Sequence, residues 1–260
     1  MRITWLGHSA VLLEVPGLRL LADPLVRRRI GGLVRAKPLP EVAVHLARRD
    51  PPVDAVLVSH LHHDHCDLPS LRALRAPVVL APPRAGAWLR SQGVDGVIEA
   101  TVGGSTHLGA GVTVTAVHAE HQGRREPRGP SAVAVGHVVD TPDGSVWLAG
   151  DTGPHQSFRD LRYATRTGRL DVAVVPVWGW GPTLGPGHLD PRTAARAAVL
   201  SGASQAIPVH WGTLHPLGLR RFMGSVLTQP GPLFAEALYG TGVRPHVLRV
   251  GEHLDVQPIS

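Results

Sequence analysis

Seven consecutive residues, Ser59-His60-Leu61-His62-His63-Asp64-His65, constrain this chain more than any other stretch. They follow the apolar run Val53-Asp54-Ala55-Val56-Leu57-Val58 and precede a segment with helical spacing from Leu68 to Arg75. A strand that ends in imidazoles and a carboxylate and then turns into a helix gathers its polar groups at the carboxyl edge of a sheet. That edge is where α/β folds build ligand sites. His60 and His62, two apart, share a side of extended chain, while Asp64 and His65 fall on the turn. With 16 His among 260 residues, the pattern His-x-His-x-Asp-His arises by chance in roughly one such chain in 300. A solvated polar turn is the alternative to a metal site.

The rest of the chain supplies the frame. Strand-like runs recur at Arg2 to Leu6, Val11 to Val15, Leu18 to Ala22, Val78 to Ala81, Val112 to Val117, Ala132 to Thr141, Val146 to Ala149, Val172 to Val177, Ala206 to Val209 and His246 to Val250. Helical spacing occurs at Leu68 to Arg75, Arg84 to Gln92, Gln156 to Thr167 and Pro191 to Ser201. Hairpins in the first half, followed by strands separated by helices, predict an α/β protein with two mixed sheets and helices outside them. No linker divides the chain, so residues 1–260 are expected to form a single domain. The segments 24–40 and 179–191 are long enough to be loops over a site.

Composition narrows the function. No run approaches the roughly 18 apolar residues of a membrane span, and the first residues read as strands rather than a signal peptide, so a cytoplasmic location is expected. A single cysteine, Cys66, excludes an intrachain disulfide and an all-thiolate metal site, and reads as a small buried filler. The net charge of +6 comes from scattered arginines with no basic run, which makes a nucleic-acid partner unexpected. Arg27, Arg28 and Arg29, with Arg124, Arg125 and Arg128, read as surface charge or an anion-gathering rim.

Further His and Asp residues stand where apolar runs stop. His121 comes after VTVTAV, Asp151 after VWLAG and His210 after AIPV, with His118 competing with His121. This ordered set resembles the metallo-β-lactamase superfamily of metal-dependent hydrolases. Trp5-Leu6-Gly7-His8-Ser9, Asp23-Pro24 and His188-Leu189-Asp190-Pro191 are similar to the branch that contains L-ascorbate-6-phosphate lactonase and N-acyl-phosphatidylethanolamine-hydrolysing phospholipase D. The resemblance implies a four-layer αββα sandwich and a binuclear centre. His60, His62 and His121 would hold one divalent ion, Asp64, His65 and His210 a second, and Asp151 would bridge them. Zinc is the first expectation for both, manganese or iron the alternatives. His8 and Asp23 would orient ligands through hydrogen bonds.

A metal-bridging hydroxide would then attack a phosphodiester, or an ester or lactone, of a small anionic substrate. Asp64, Asp151 and His188 count as catalytic, His188 as a proton donor to the leaving group or a substrate contact. Trp178 and Trp180 would line a substrate pocket. His63 points away from His62 in extended geometry and reads as solvated or as a support to the ligands. The competing functions are a metal-dependent nuclease and a non-catalytic metal-binding regulatory protein.

Overall fold

A computed structural model describes residues 1–256. Two seven-stranded mixed sheets form its centre. In the first, His253–Asp255, Arg2–Gly7, Ala10–Val15 and Leu18–Ala22 pair antiparallel in that order, and Ala55–Leu57, Val78–Ala81 and Val97–Glu99 continue it in parallel. In the second, Arg244–Pro245, Gln205–Val209, Val172–Pro176 and Gly144–Leu148 run parallel, and Ser131–Thr141, Val112–Arg124 and Ser105–Gly109 complete it antiparallel.

The strands are apolar on both faces, as sheets covered on both sides require. Leu13, Leu57, Leu148 and Val174 face the other sheet in the central core. Their neighbours Leu12 and Val56 turn outward among residues of the helices Glu41–Ala47, Leu68–Leu74 and Gly86–Ser91. Trp147 and Val175 do the same beneath Pro191–Leu200 and Pro230–Ala237. The period of two thus sorts side chains into three apolar layers, and the fold is an αββα sandwich of the metallo-β-lactamase type.

Several elements differ from the sequence reading. The strand expected at Val112 to Val117 runs on to Arg124, through an irregular register between His118 and Gln122. The segment expected as a helix from Gln156 to Thr167 is a 3-10 stretch, Gln156–Ala164; Phe158 and Leu161, three apart, are its buried residues, and that spacing suits a three-residue turn. In place of the strand expected at His246 to Val250 there is a short one just before it, Arg244–Pro245; His246 N still donates to Ala206 O, but Pro208, the next residue of the facing strand in that row, has no N–H to extend the ladder. His253–Asp255 takes an edge position instead.

The expected loop at 24–40 holds a small hairpin, Arg29–Ile30 and Leu33–Arg35, paired with Leu214–Pro216. Gly31 turns it at φ 51°, a conformation that suits glycine. Arg35 anchors the hairpin by donating to the carbonyls of Arg27, Leu6 and Leu25. Burial pushes its pKa down to about 10, which leaves it a cation at neutral pH.

One side chain between the sheets has a cost. His137 is 2% exposed and its Nε2 has no hydrogen-bond partner. Burial lowers its pKa to about 4. The folded state therefore binds fewer protons than the unfolded chain between about pH 6.5 and 4, and stability falls as pH falls through that window. The loss reaches about 2 kcal/mol at pH 5. His137→Leu is expected to lose less melting temperature than the parent between pH 7.5 and pH 5, and equal losses in calorimetric scans would refute this account.

Candidate metal centre

All the residues assigned to the centre except His121 lie just beyond a strand end. Asp23 follows Leu18–Ala22, Ser59 to His65 follow Ala55–Leu57, Asp151 follows Gly144–Leu148 and His210 follows Gln205–Val209. His121 is held within its long strand, in the irregular stretch. Three of these turns use left-handed non-glycine residues, His8 (φ 55°), Asp23 (φ 40°) and His210 (φ 64°). Such backbone costs of order 1 kcal/mol or more each, and collects at functional sites. Gly150, at φ 61°, lets the Asp151 turn pass close to Ser59; a Cβ there would lie 2.6 Å from Ser59 Cβ.

Asp23 organises the first sheet's side. Its carboxylate accepts from Ser59 N (2.8 Å), Ser59 Oγ (2.7 Å) and His65 Nδ1 (2.7 Å). His8 Nε2 donates to Asp64 Oδ2 at 2.8 Å. His210 Nδ1 donates to the Trp178 carbonyl at 2.9 Å, and His121 Nδ1 to the Gly187 carbonyl at 2.8 Å.

These bonds decide which ring nitrogens remain free. With Nδ1 donating, His65 and His210 in neutral form carry lone pairs on Nε2, and those two atoms stand 3.0 Å apart. His121 Nε2 faces His62 Nδ1 at 3.2 Å. His60 Nε2 is buried without a hydrogen-bond partner, as is Asp151 Oδ1, with His210 Nε2 3.3 Å from the latter. Ring nitrogens that converge in this way call for a positive charge between them, a proton or a metal ion. Two groups of donor atoms result, each within 4.8 Å of one another: His60, His62, His121 and Asp151, and His8, Asp64, His65 and His210. Buried imidazole and carboxylate donors suit divalent transition metals, so the chain's residues fit such ions. The contiguous motif divides between the groups, and His8, whose Nε2 is bound to Asp64, supports a carboxylate rather than offering that nitrogen.

Electrostatics agree with this assignment. Burial and neighbouring imidazoles push His60 well below its ordinary pKa, and burial lowers His62 and His8 to about 4. Burial also lowers His121. Burial alone would raise Asp64 and Asp151, but the surrounding histidines outweigh it and hold both well below the usual carboxylate range. Burial opposes a charge on His65, yet Asp151, Asp23 and Asp64 together raise it well above its ordinary value. Ionised carboxylates beside imidazoles that burial disfavours charging, at His8, His60, His62 and His121, are the protonation state that metal ligands need, while His65 would give up its proton on binding an ion.

Other sequence-identified residues fall into place around this cluster. His188 Nε2 is 3.4 Å from Asp151 Oδ2. Trp180 is 41% exposed and lines the adjoining cavity, whereas half-buried Trp178 donates its indole N–H to Gly181 O. His118 is exposed, 3.4 Å from Glu120, and belongs to neither donor group. Cys66 is buried, and burial raises its thiol pKa to about 12. Arg125, read as surface or rim charge, is instead buried and donates to the carbonyls of Leu61 and Cys66 and to His63 Nδ1. Sequence reasoning missed Ile30, Leu33 and Glu126 in the cavity wall; the only signal was the unusual length of the 24–40 segment.

Residues 18–211 match the family model described as β-lactamase superfamily domain. An uncharacterized protein of Mycobacterium tuberculosis is 35% identical over 237 residues, covering 84% of this chain but 61% of its own length. The chain thus spans less than two thirds of that relative. A metal-dependent hydrolase of Methanopyrus kandleri is 34% identical over 221 residues, covering 84% of this chain and 86% of its own. Among solved structures, a metallo hydrolase of Ignicoccus hospitalis superposes with TM-score 0.73 over 97% of both chains at 20% identity, a likeness of fold.

If His121 rather than His118 completes the first donor group, His121→Ala should lose at least about tenfold in zinc affinity in a chelator competition while His118→Ala keeps the parent value. The reverse result would show that the register is wrong.

Proposed function

The chain belongs to the β-lactamase superfamily, and from that premise we propose that it is a binuclear metal-dependent hydrolase of phosphodiesters or of esters and lactones of small molecules. The observation that carries the reading is the pair of adjoining donor groups, buried, with imidazole lone pairs turned toward one another. His60, His62 and His121 would hold one ion, Asp64, His65 and His210 the other, with Asp151 shared between them. Bound there, two divalent ions supply an acidified water and polarise the scissile phosphoryl or carbonyl group. Zinc is the ion we propose, with manganese and iron as the alternatives to load.

The chain's own part is orientation and proton handling. Asp23 fixes the ring of His65, and His8 fixes the carboxylate of Asp64. His188 has acceptors at both nitrogens, with the Gly185 and Pro186 carbonyls at Nδ1 and Asp151 at Nε2. Burial opposes its charge, but the Asp151 carboxylate outweighs this and raises its pKa. His188 Nε2, at the cavity wall and only 3.4 Å from Asp151, would pass its proton to a leaving oxygen once it turns from that carboxylate. Trp180 offers its ring to an apolar part of the substrate.

Two tests follow. Elemental analysis of the purified protein at saturation should find two divalent ions per chain, and a stoichiometry of one removes the binuclear mechanism. Asp151→Asn should lower kcat/KM on bis(4-nitrophenyl) phosphate or the best lactone at least about 100-fold with an unchanged circular dichroism spectrum. Activity near the parent value in that variant would refute the assignment.

A further inference from the structure

The cavity that opens on the candidate centre has a volume of about 440 Å³. His62, Asp64, Asp151 and His188 form one wall. Ile30, Gly31, Gly32, Leu33 and Trp180 also line it. His63 and Glu126 complete the lining.

Among the described residues no arginine or lysine lines this space, in a chain whose net charge is +6. Of the arginines flanking the cavity, Arg27 pairs with Asp67 and Arg29 donates to Gly31 O, while Arg28, Arg124 and Arg128 are exposed outside the lining. Arg125 donates to two carbonyls and to His63, 5.0 Å above the Trp88 ring, and Arg35 donates to three carbonyls beneath the hairpin. His63 accepts from Arg125 at Nδ1 and donates to the Glu126 carbonyl from Nε2, so neither ring nitrogen is free for a ligand. The Glu126 carboxylate is exposed and, among the described residues, has no hydrogen-bond or ion-pair partner.

We infer that the part of the substrate lying beyond the scissile group is apolar and uncharged, or ends in a cation, and that a second anionic group there is rejected. The inference rests on the hydrolase reading and narrows its substrate class. An added carboxylate or phosphate would lose water against Ile30, Leu33 and Trp180, find no cation, and face Glu126. An ammonium would meet the Glu126 carboxylate and the face of Trp180. The anionic substrate expected from the sequence would therefore carry its charge at the scissile group, next to the candidate centre.

The test uses γ-lactones bearing a six-carbon tail that ends in methyl, primary amine or carboxylate, together with tetrahydrofurans carrying the same tails but no scissile bond. Calorimetric titration of the metal-loaded protein with the tetrahydrofurans reads binding without turnover. The methyl and amine tails are expected to bind about two- to fivefold more tightly than the carboxylate tail, the scale of one exposed charge interaction. Glu126→Lys should reverse the order of amine and carboxylate. Equal binding of the three tails, tightest binding of the carboxylate tail by the parent protein, no binding of any tail, or an order that Glu126→Lys leaves intact would each overturn the inference. Ranked binding without turnover of any lactone, ester or phosphodiester leaves the pocket assignment standing and refutes the hydrolase reading instead.

Discussion

The buried carboxylate of Asp23 is the interaction on which the candidate centre depends. It sits at the end of one strand in a left-handed conformation and accepts three hydrogen bonds from the end of the next, two from Ser59 and one from His65. A buried carboxylate without such donors would be expensive, and the donors without it would leave His65 free to rotate. Because Ser59 Oγ also lies 3.0 Å from His60 Nδ1, one carboxylate fixes rings that belong to both donor groups. The second sheet is joined to this arrangement through the backbone, where His210 N donates to His8 O and His8 N donates to Thr213 Oγ1.

The sandwich explains why the centre is at an edge. Both sheets are apolar on both faces, so a cluster of imidazoles and carboxylates has no place within the layers. At the strands' carboxyl ends the chain leaves the ladder, and turn residues can direct polar side chains toward one point. The left-handed residues and Gly150 are what this convergence requires of the backbone. Such strain persists only where surrounding structure enforces it, here through the pairing of strands on either side.

The hairpin at 29–35 gives the site its character. It belongs to neither large sheet, and its pairing with Leu214–Pro216 and the Arg35 anchor bring Ile30 and Leu33 into one cavity with His62, Asp64 and Asp151 of the candidate centre. A chain rich in arginine thereby has a cavity beside the candidate centre that Ile30, Leu33 and Trp180 line, while Arg35 and Arg125 bind backbone carbonyls instead.

The sequence by itself determined the apolar alternation that makes the layers and the local motif from Ser59 to His65, since both are matters of spacing along a few residues. It also determined that polar residues follow apolar runs at Asp23, Asp151 and His210. Only the tertiary structure decided how the motif's side chains divide between two donor groups, that Arg125 is buried rather than peripheral, and that residues near 30 meet Trp180 and Glu126 across one cavity. It also decided that the strand carrying His121 continues past Val117, because the partner strand Ser131–Thr141 supplies pairing out to Arg124. Each of these depends on contacts between residues apart in the chain, from seven positions at Arg124 and Ser131 to over a hundred across the donor groups, and neither period nor composition carries that information.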